Sequence, residues 1–183
     1  MFVEQRYRTF WPRFWAGMVE GLVLMPFVVL DGWVFKHIRA PAILAAWFVF
    51  YSLSYAAYSV AMHAKYGQTL GKMLTRVRVL DVSEGAISLR QAFLRDSVWI
   101  GLTVVAVALD LPTVLKGLNP AKQEEITLGT WILLYGSGVW FLAELLTMLT
   151  NPKRRALHDL LAGTVVMRVA RDQYLAPSPS RSA

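Results

Sequence analysis

Four stretches of the chain, residues 14–34, 41–62, 98–115 and 128–149, are almost wholly apolar. Each is close to the roughly 20 residues that a helix rising about 1.5 Å per residue needs to cross a bilayer. Lipid offers the backbone no hydrogen-bond partner, so such runs fold either as helices or as strands of a closed barrel. Barrel strands alternate polar and apolar positions over about 10 residues, and these runs do not alternate. The pattern predicts an all-α membrane protein with four transmembrane helices. Pro26 falls inside the first run and Pro112 near the end of the third, where each removes a helical hydrogen bond and predicts a kink.

The loop 63–97 has a different grammar. Residues 76–82, Arg-Val-Arg-Val-Leu-Asp-Val, alternate with the period of a strand. Ser83-Glu84-Gly85 supplies turn chemistry, residues 86–88 can return, and 164–169 reads as a further strand. A lone hairpin is marginal in water, so a small cytoplasmic β-hairpin extended to a three-stranded element is expected. Ser88 is placed to cap a short amphipathic helix over 89–95. The transmembrane domain is read as 1–175, and the Pro- and Ser-rich tail 176–183 as disordered.

Composition sharpens the class. Of 183 residues, 56% are hydrophobic and 17% charged, which excludes an intrinsically disordered chain and argues against a water-soluble globule. The absence of cysteine removes disulfides, thiolate nucleophiles and cysteine metal sites. The net charge of +7 would suit nucleic acid, but its distribution says otherwise. All but four of the 19 basic residues lie before the first run, in the loop 63–97 or after the last run. Only Lys36, Arg39, Lys116 and Lys122 lie on the opposite side. The positive-inside rule then places both termini and the middle loop in the cytoplasm; the expected partner is the lipid bilayer, not nucleic acid. The first run, following Arg6, Arg8 and Arg13, is too long for a signal peptide and is read as a retained helix. Trp11, Trp15, Trp33, Trp47, Trp99 and Trp131 sit near the ends of the runs, as interface anchors do.

Gly67-Gln68-Thr69-Leu70-Gly71-Lys72-Met73 superficially suggests a phosphate loop, but it has three residues between its glycines and Met after the lysine. A Walker A loop needs four residues and a Ser or Thr. No Ser-His-Asp or Cys-His arrangement can be assembled and the histidines lack metal spacing. Neither enzymatic activity nor a cofactor nor a metal is expected.

Ionisable groups inside the runs are the informative residues, because a charge at mid-bilayer costs about 2.5–3.5 kcal/mol even on the insertion scale. There are four acids: Glu20, Asp31, Asp110 and Glu144. Arg13, Gly17, Glu20 and Gly21 recur on one face of the first helix, and Gly17 and Gly21 form a small-xxx-small pair suited to close helix approach. Two readings stand side by side. Glu20 exchanges a proton or cation, or Arg13 and a basic residue after the last run neutralise the acids and fasten the helices. Asp31 and Asp110 are weaker transport candidates, being near the ends of their runs.

Three blocks resemble the RDD family of bacterial membrane proteins: Arg13-Phe14-Trp15-Ala16; Gly67-Gln68-Thr69-Leu70-Gly71-Lys72 continuing through Val77-Arg78-Val79-Leu80-Asp81 to Leu94-Arg95; and residues 157–166, Leu-His-Asp-Leu-Leu-Ala-Gly-Thr-Val-Val. The family is named for one arginine and two aspartates. By this resemblance the arginine is Arg13, the second aspartate is Asp159, and the first falls on Glu20, a departure that keeps the carboxylate but lengthens its reach. The resemblance implies a multipass inner-membrane protein with a transport role, cation/proton antiport in some members. Arg13 and Asp159 should both lie near the cytoplasmic interface, and Asp159 is expected to pair with Arg13 and so dock residues 158–162 against the first helix.

Two functions follow. One is transport of a cation or small solute, coupled to protons through Glu20 and Glu144, with a homo-oligomer expected because four helices enclose little volume. The other is a non-catalytic module whose loop binds a protein partner or anionic lipid through Arg76, Arg78, Arg90 and Arg95.

Overall fold

A computed structural model describes residues 6–169. The tail 176–183 and the basic residues Arg171 and Arg181 lie outside that range. The elements in chain order are α1 (Phe10–His37), α2 (Pro41–Tyr66), α3 (Leu70–Leu74), β1 (Val77–Asp81), α4 (Leu89–Leu115), a 3-10 turn (Pro120–Lys122), α5 (Leu128–Thr150), α6 (Leu157–Ala162) and β2 (Thr164–Arg168). The helices α1, α2, α4 and α5 are each long and apolar enough to cross a membrane, and the chain is a membrane protein.

At 28 residues, α1 is about 42 Å long at 1.5 Å per residue, longer than a hydrocarbon core of about 30 Å. Its ends therefore extend into the headgroup region on one or both sides. No more than 22% of the apolar window of any of the four helices is buried within the protein. Leu22, Val29, Val139, Phe141 and Leu146 face outward, which is tolerable only where lipid replaces water. Trp11, Trp15, Trp33 and Trp131 are exposed as anchors should be, whereas Trp47 and Trp99 are half-buried.

The chain forms two compact units. The first, within the described residues, comprises 6–23, 59–96 and 142–169. Its core is Val77, Val79, Ile87, Ala92 and Val166, with Val60 and Ala64 packed on it. β1 pairs antiparallel with β2 in the register Val79↔Val166 and Asp81↔Thr164. The alternation Val77, Val79 buries one face of β1, as its period of two requires.

The sheet has two strands among the described residues, not three; residues 86–88 do not return as a strand. The cause is local. The Asp81 carboxylate accepts hydrogen bonds from Ser83 N and Ser83 Oγ, both at 2.8 Å, folding the chain into a tight turn. Ser88 then opens a capping box with Gln91: Gln91 N donates to Ser88 Oγ at 3.2 Å and Ser88 N donates to Gln91 Oε1 at 2.9 Å. Ser88 caps a helix as expected, but that helix is no short amphipathic segment. It continues through to Leu115 as α4.

The second unit comprises Leu24–Tyr58 and Ser97–Phe141. Val34, Leu44 and Val114 form its buried core, with Phe35, Trp47 and Phe48 against them. Gly129, in the first turn of α5, is required there: a Cβ would lie 2.4 Å from Asp110 Oδ1 and 2.5 Å from the Ala106 carbonyl oxygen.

Candidate functional site

In the first unit the charged side chains converge on Asp159, which is wholly buried at the start of α6. Arg13 Nη1 donates to Asp159 Oδ2 at 2.7 Å, so the pairing expected from the sequence is present. Arg95 Nη1 donates to the other oxygen, Oδ1. Ala156 N donates to Oδ2 at 3.0 Å and Thr164 Oγ1 to Oδ1 at 3.3 Å. Arg155 holds the surrounding backbone, donating from Nη2 to the Asp159 carbonyl at 3.0 Å and from Nε to the Thr164 carbonyl at 2.9 Å. Burial alone would raise the Asp159 carboxyl, but Arg13 and Arg95 overcome it and hold the group well below the usual carboxylate range.

Arg95 is thus withdrawn from the surface, 6% exposed. The sequence reading that placed it on a lipid- or partner-binding face is corrected by this geometry. Its helix turns it inward beneath β2, where Thr164 Oγ1 also accepts from it at 3.1 Å. Arg76 and Arg90 remain exposed and Arg78 is half-buried, its Nε donating to the Tyr66 carbonyl at 3.2 Å.

Glu20 and Glu144 have partners that the sequence did not announce. Glu20 Oε2 accepts the backbone N–H of Gly71 at 3.0 Å, in the first turn of α3, where an unsatisfied N–H and the helix dipole favour a carboxylate. Gly71 must be glycine at this contact, since a Cβ would lie 2.2 Å from the Ala16 carbonyl oxygen. The Gly-Lys loop is therefore a docking surface for α1 and not a phosphate cradle. Glu144 Oε1 meets His158 Nδ1, while His158 Nε2 lies 3.5 Å from Asp159 Oδ1. Burial, with Arg95 beside it, lowers His158 below an ordinary histidine.

Lys72 Nζ donates to His63 Nε2 at 3.0 Å, and His63 Nδ1 lies 3.2 Å from Ser59 Oγ. An acceptor Nε2 leaves Nδ1 as the ring N–H. His63, in the last turn of α2, is 2% exposed. Burial and the neighbouring Arg95 bring the Lys72 ammonium down to about 8. The small-residue pair behaves differently from its sequence reading: its neighbours Ala16 and Glu20 are buried, while nothing comes within 4 Å of a Cβ at Gly17 or Gly21.

The second unit contains a cavity of about 540 Å³ lined by both remaining membrane carboxylates, Asp31 and Asp110. Asp31 Oδ1 accepts the Trp47 indole N–H at 2.9 Å. Asp110 is 4% exposed; Thr130 Oγ1 donates to its Oδ2 at 3.2 Å, and its Oδ1 has no hydrogen-bond partner. Among the described residues no basic side chain forms an ion pair with either aspartate. The two carboxylates ranked lower from sequence are the ones that face an open volume. Position along a span does not reveal which neighbours cover a side chain, so the sequence alone does not show it. The described residues include no cluster of three or more metal-ligating side chains.

No curated protein and no solved structure shows significant similarity to the chain. The model of the RDD family matches residues 7–163, spanning Arg13, Glu20, the Gly71 loop and Asp159, and the chain belongs to the RDD family.

Proposed function

We propose that this protein is a non-enzymatic transporter that moves a cation or small solute across a bacterial inner membrane, with both termini cytoplasmic, in exchange for a proton. The observation that carries the reading is the cavity of about 540 Å³ bearing Asp31 and Asp110. A carboxylate as buried as Asp110, with no ion pair among the described residues, favours either a proton or a bound cation, and alternation between the two is the elementary chemistry of exchange. Glu20 and Glu144, by contrast, serve as fasteners, one holding α3 and the other His158. The asymmetry of Lys and Arg along the chain supports the orientation.

Purified protein in liposomes containing a pH-sensitive dye tests the reading. Cation-dependent proton flux is expected, and Asp31→Asn and Asp110→Asn abolish it at unchanged protein level. Glu20→Gln and Glu144→Gln retain flux per folded molecule. Flux that is absent, or indifferent to both aspartates, overturns it. The exposed Arg76 and Arg90 favour one second reading, a module that binds anionic lipid through the loop; neutralising both would then release the protein from anionic vesicles while leaving flux intact.

A further inference from the structure

The chemistry of the cavity wall narrows the class of cation, on the reading that this cavity is the transport site. Its volume of about 540 Å³ falls within the range of about 300–1,000 Å³ of sites for drug-sized ligands. A bare inorganic ion would leave most of that space to water, at about 30 Å³ per molecule. The wall is largely apolar, with Phe27, Phe48, Tyr51, Tyr55, Tyr58 and Trp99 lining it among a few hydroxyl groups. Aromatic faces attract cations and also bury apolar surface, so they reward an occupant that is both. The negative charge is concentrated at Asp31 and Asp110, with Asp110 almost wholly buried and its Oδ1 unpartnered. Trp47 orders the Asp31 end, donating to the carboxylate and stacking on Tyr51 with ring centroids 6.3 Å apart.

We infer that the cavity binds an amphipathic organic cation, a quaternary or protonated ammonium or a phosphonium carrying aromatic or alkyl groups. The charged centre sits toward the aspartates and the apolar groups lie against the aromatic wall. Such an occupant satisfies both features of the site, whereas a small hydrated metal ion satisfies only the carboxylates and a neutral apolar molecule only the rings.

Equilibrium dialysis of the full chain in lipid nanodiscs against tetraphenylphosphonium, with tetraphenylborate as a probe of the same shape and opposite charge, tests the inference. Saturable binding of the phosphonium alone is expected. Asp110→Asn should weaken it about thirtyfold or more, the loss that follows removal of one partner of a buried charge pair. Trp99→Leu should weaken it about tenfold, and this variant keeps the test open if Asp110→Asn does not fold. Equal binding of both probes, or phosphonium binding unchanged in Asp31→Asn, Asp110→Asn and Trp99→Leu, overturns the inference. Aspartate-dependent flux of inorganic cations with no phosphonium binding would also overturn it while sparing the transport reading. Selective phosphonium binding in protein that carries no flux would uphold the ligand class and remove the transport reading instead.

Discussion

Glu20 on α1 holds the backbone N–H of Gly71, 51 residues further along the chain, at 3.0 Å. The contact exists because Gly71 has no side chain: a Cβ would meet the Ala16 carbonyl oxygen at 2.2 Å and Glu20 Oε2 at 2.7 Å. The first of these atoms is helix backbone and cannot yield. Gly71→Ala is expected to destabilise the protein by about 1–3 kcal/mol, the usual cost of overpacking. Glu20→Ala should cost about 1.5–3 kcal/mol, as for a hydrogen bond to a charged group, and Glu20→Gln less, because the amide oxygen still accepts. Thermal unfolding in detergent measures all three. Should Gly71→Ala be neutral, α3 does not dock through this glycine.

Asp159 binds Arg13 through one oxygen and Arg95 through the other, and this changes how the pair should be tested. Exchanging the charges of Arg13 and Asp159 would set a new arginine against Arg95, so rescue is not expected. Neutral replacements are informative. Asp159→Asn strands two buried guanidinium groups and is expected to cost about 3–5 kcal/mol; Arg13→Met should cost less, because Arg95 still neutralises the aspartate. A double-mutant cycle should give a coupling of about 0.5–3 kcal/mol. Additive single losses would mean that the two side chains do not act together.

The sequence carries the four helices plainly, because the bilayer permits so few alternatives to a long apolar run. Arg13 and Asp159 come together through the family blocks, which place both residues without showing what joins them. Arg95 was misplaced for a physical reason: on a helix begun by an exposed Leu89 and Arg90, nothing local indicates that the next turn passes beneath β2. The Glu144–His158 contact was equally hidden, each member having a reasonable role alone. The third strand failed because the Asp81–Ser83 turn and the Ser88–Gln91 capping box lead straight into a helix. Asp31 and Asp110 were undervalued since depth in a span says nothing about the cavity beside them.

Lys72 is the group whose charge responds near neutral pH. Its ammonium falls from 10.5 to about 8 on folding, mainly through burial and then through Arg95. A folded value below the unfolded one means that the unfolded chain binds the proton more tightly. The resulting destabilisation is fully present below pH 8 and is relieved as the pH rises from 8 towards 10.5. Unfolding temperatures measured from pH 7 to 9.5 should therefore rise in the wild type relative to Lys72→Met, in which this component of the slope disappears. Parallel curves for the two proteins would mean that Lys72 does not titrate as its surroundings dictate. The acid side belongs to other groups: His158, lowered by burial and Arg95, costs stability as pH falls below 6.5, and the stabilisation from Asp159 is fully present above pH 3.8 and is lost progressively as pH falls below it.

Two glycines of α5 provide a matched comparison for the cavity. A Cβ at Gly129 would press on Asp110 Oδ1 at 2.4 Å and on the Ala106 carbonyl at 2.5 Å, whereas at Gly138 nothing lies within 4 Å. In open space, alanine in place of a helical glycine stabilises by about 0.5–1 kcal/mol by restricting the unfolded chain. Gly138→Ala is therefore expected to raise the unfolding temperature modestly and leave tetraphenylphosphonium binding unchanged. Gly129→Ala must displace either the Asp110 carboxylate or the backbone of α4, and should destabilise by about 1–3 kcal/mol while also weakening the phosphonium. If the two alanines behave alike, the close approach at Gly129 does not fix the position of Asp110. If Gly129→Ala loses stability but retains full binding, the aspartate is adjustable and the cavity is defined by its aromatic wall.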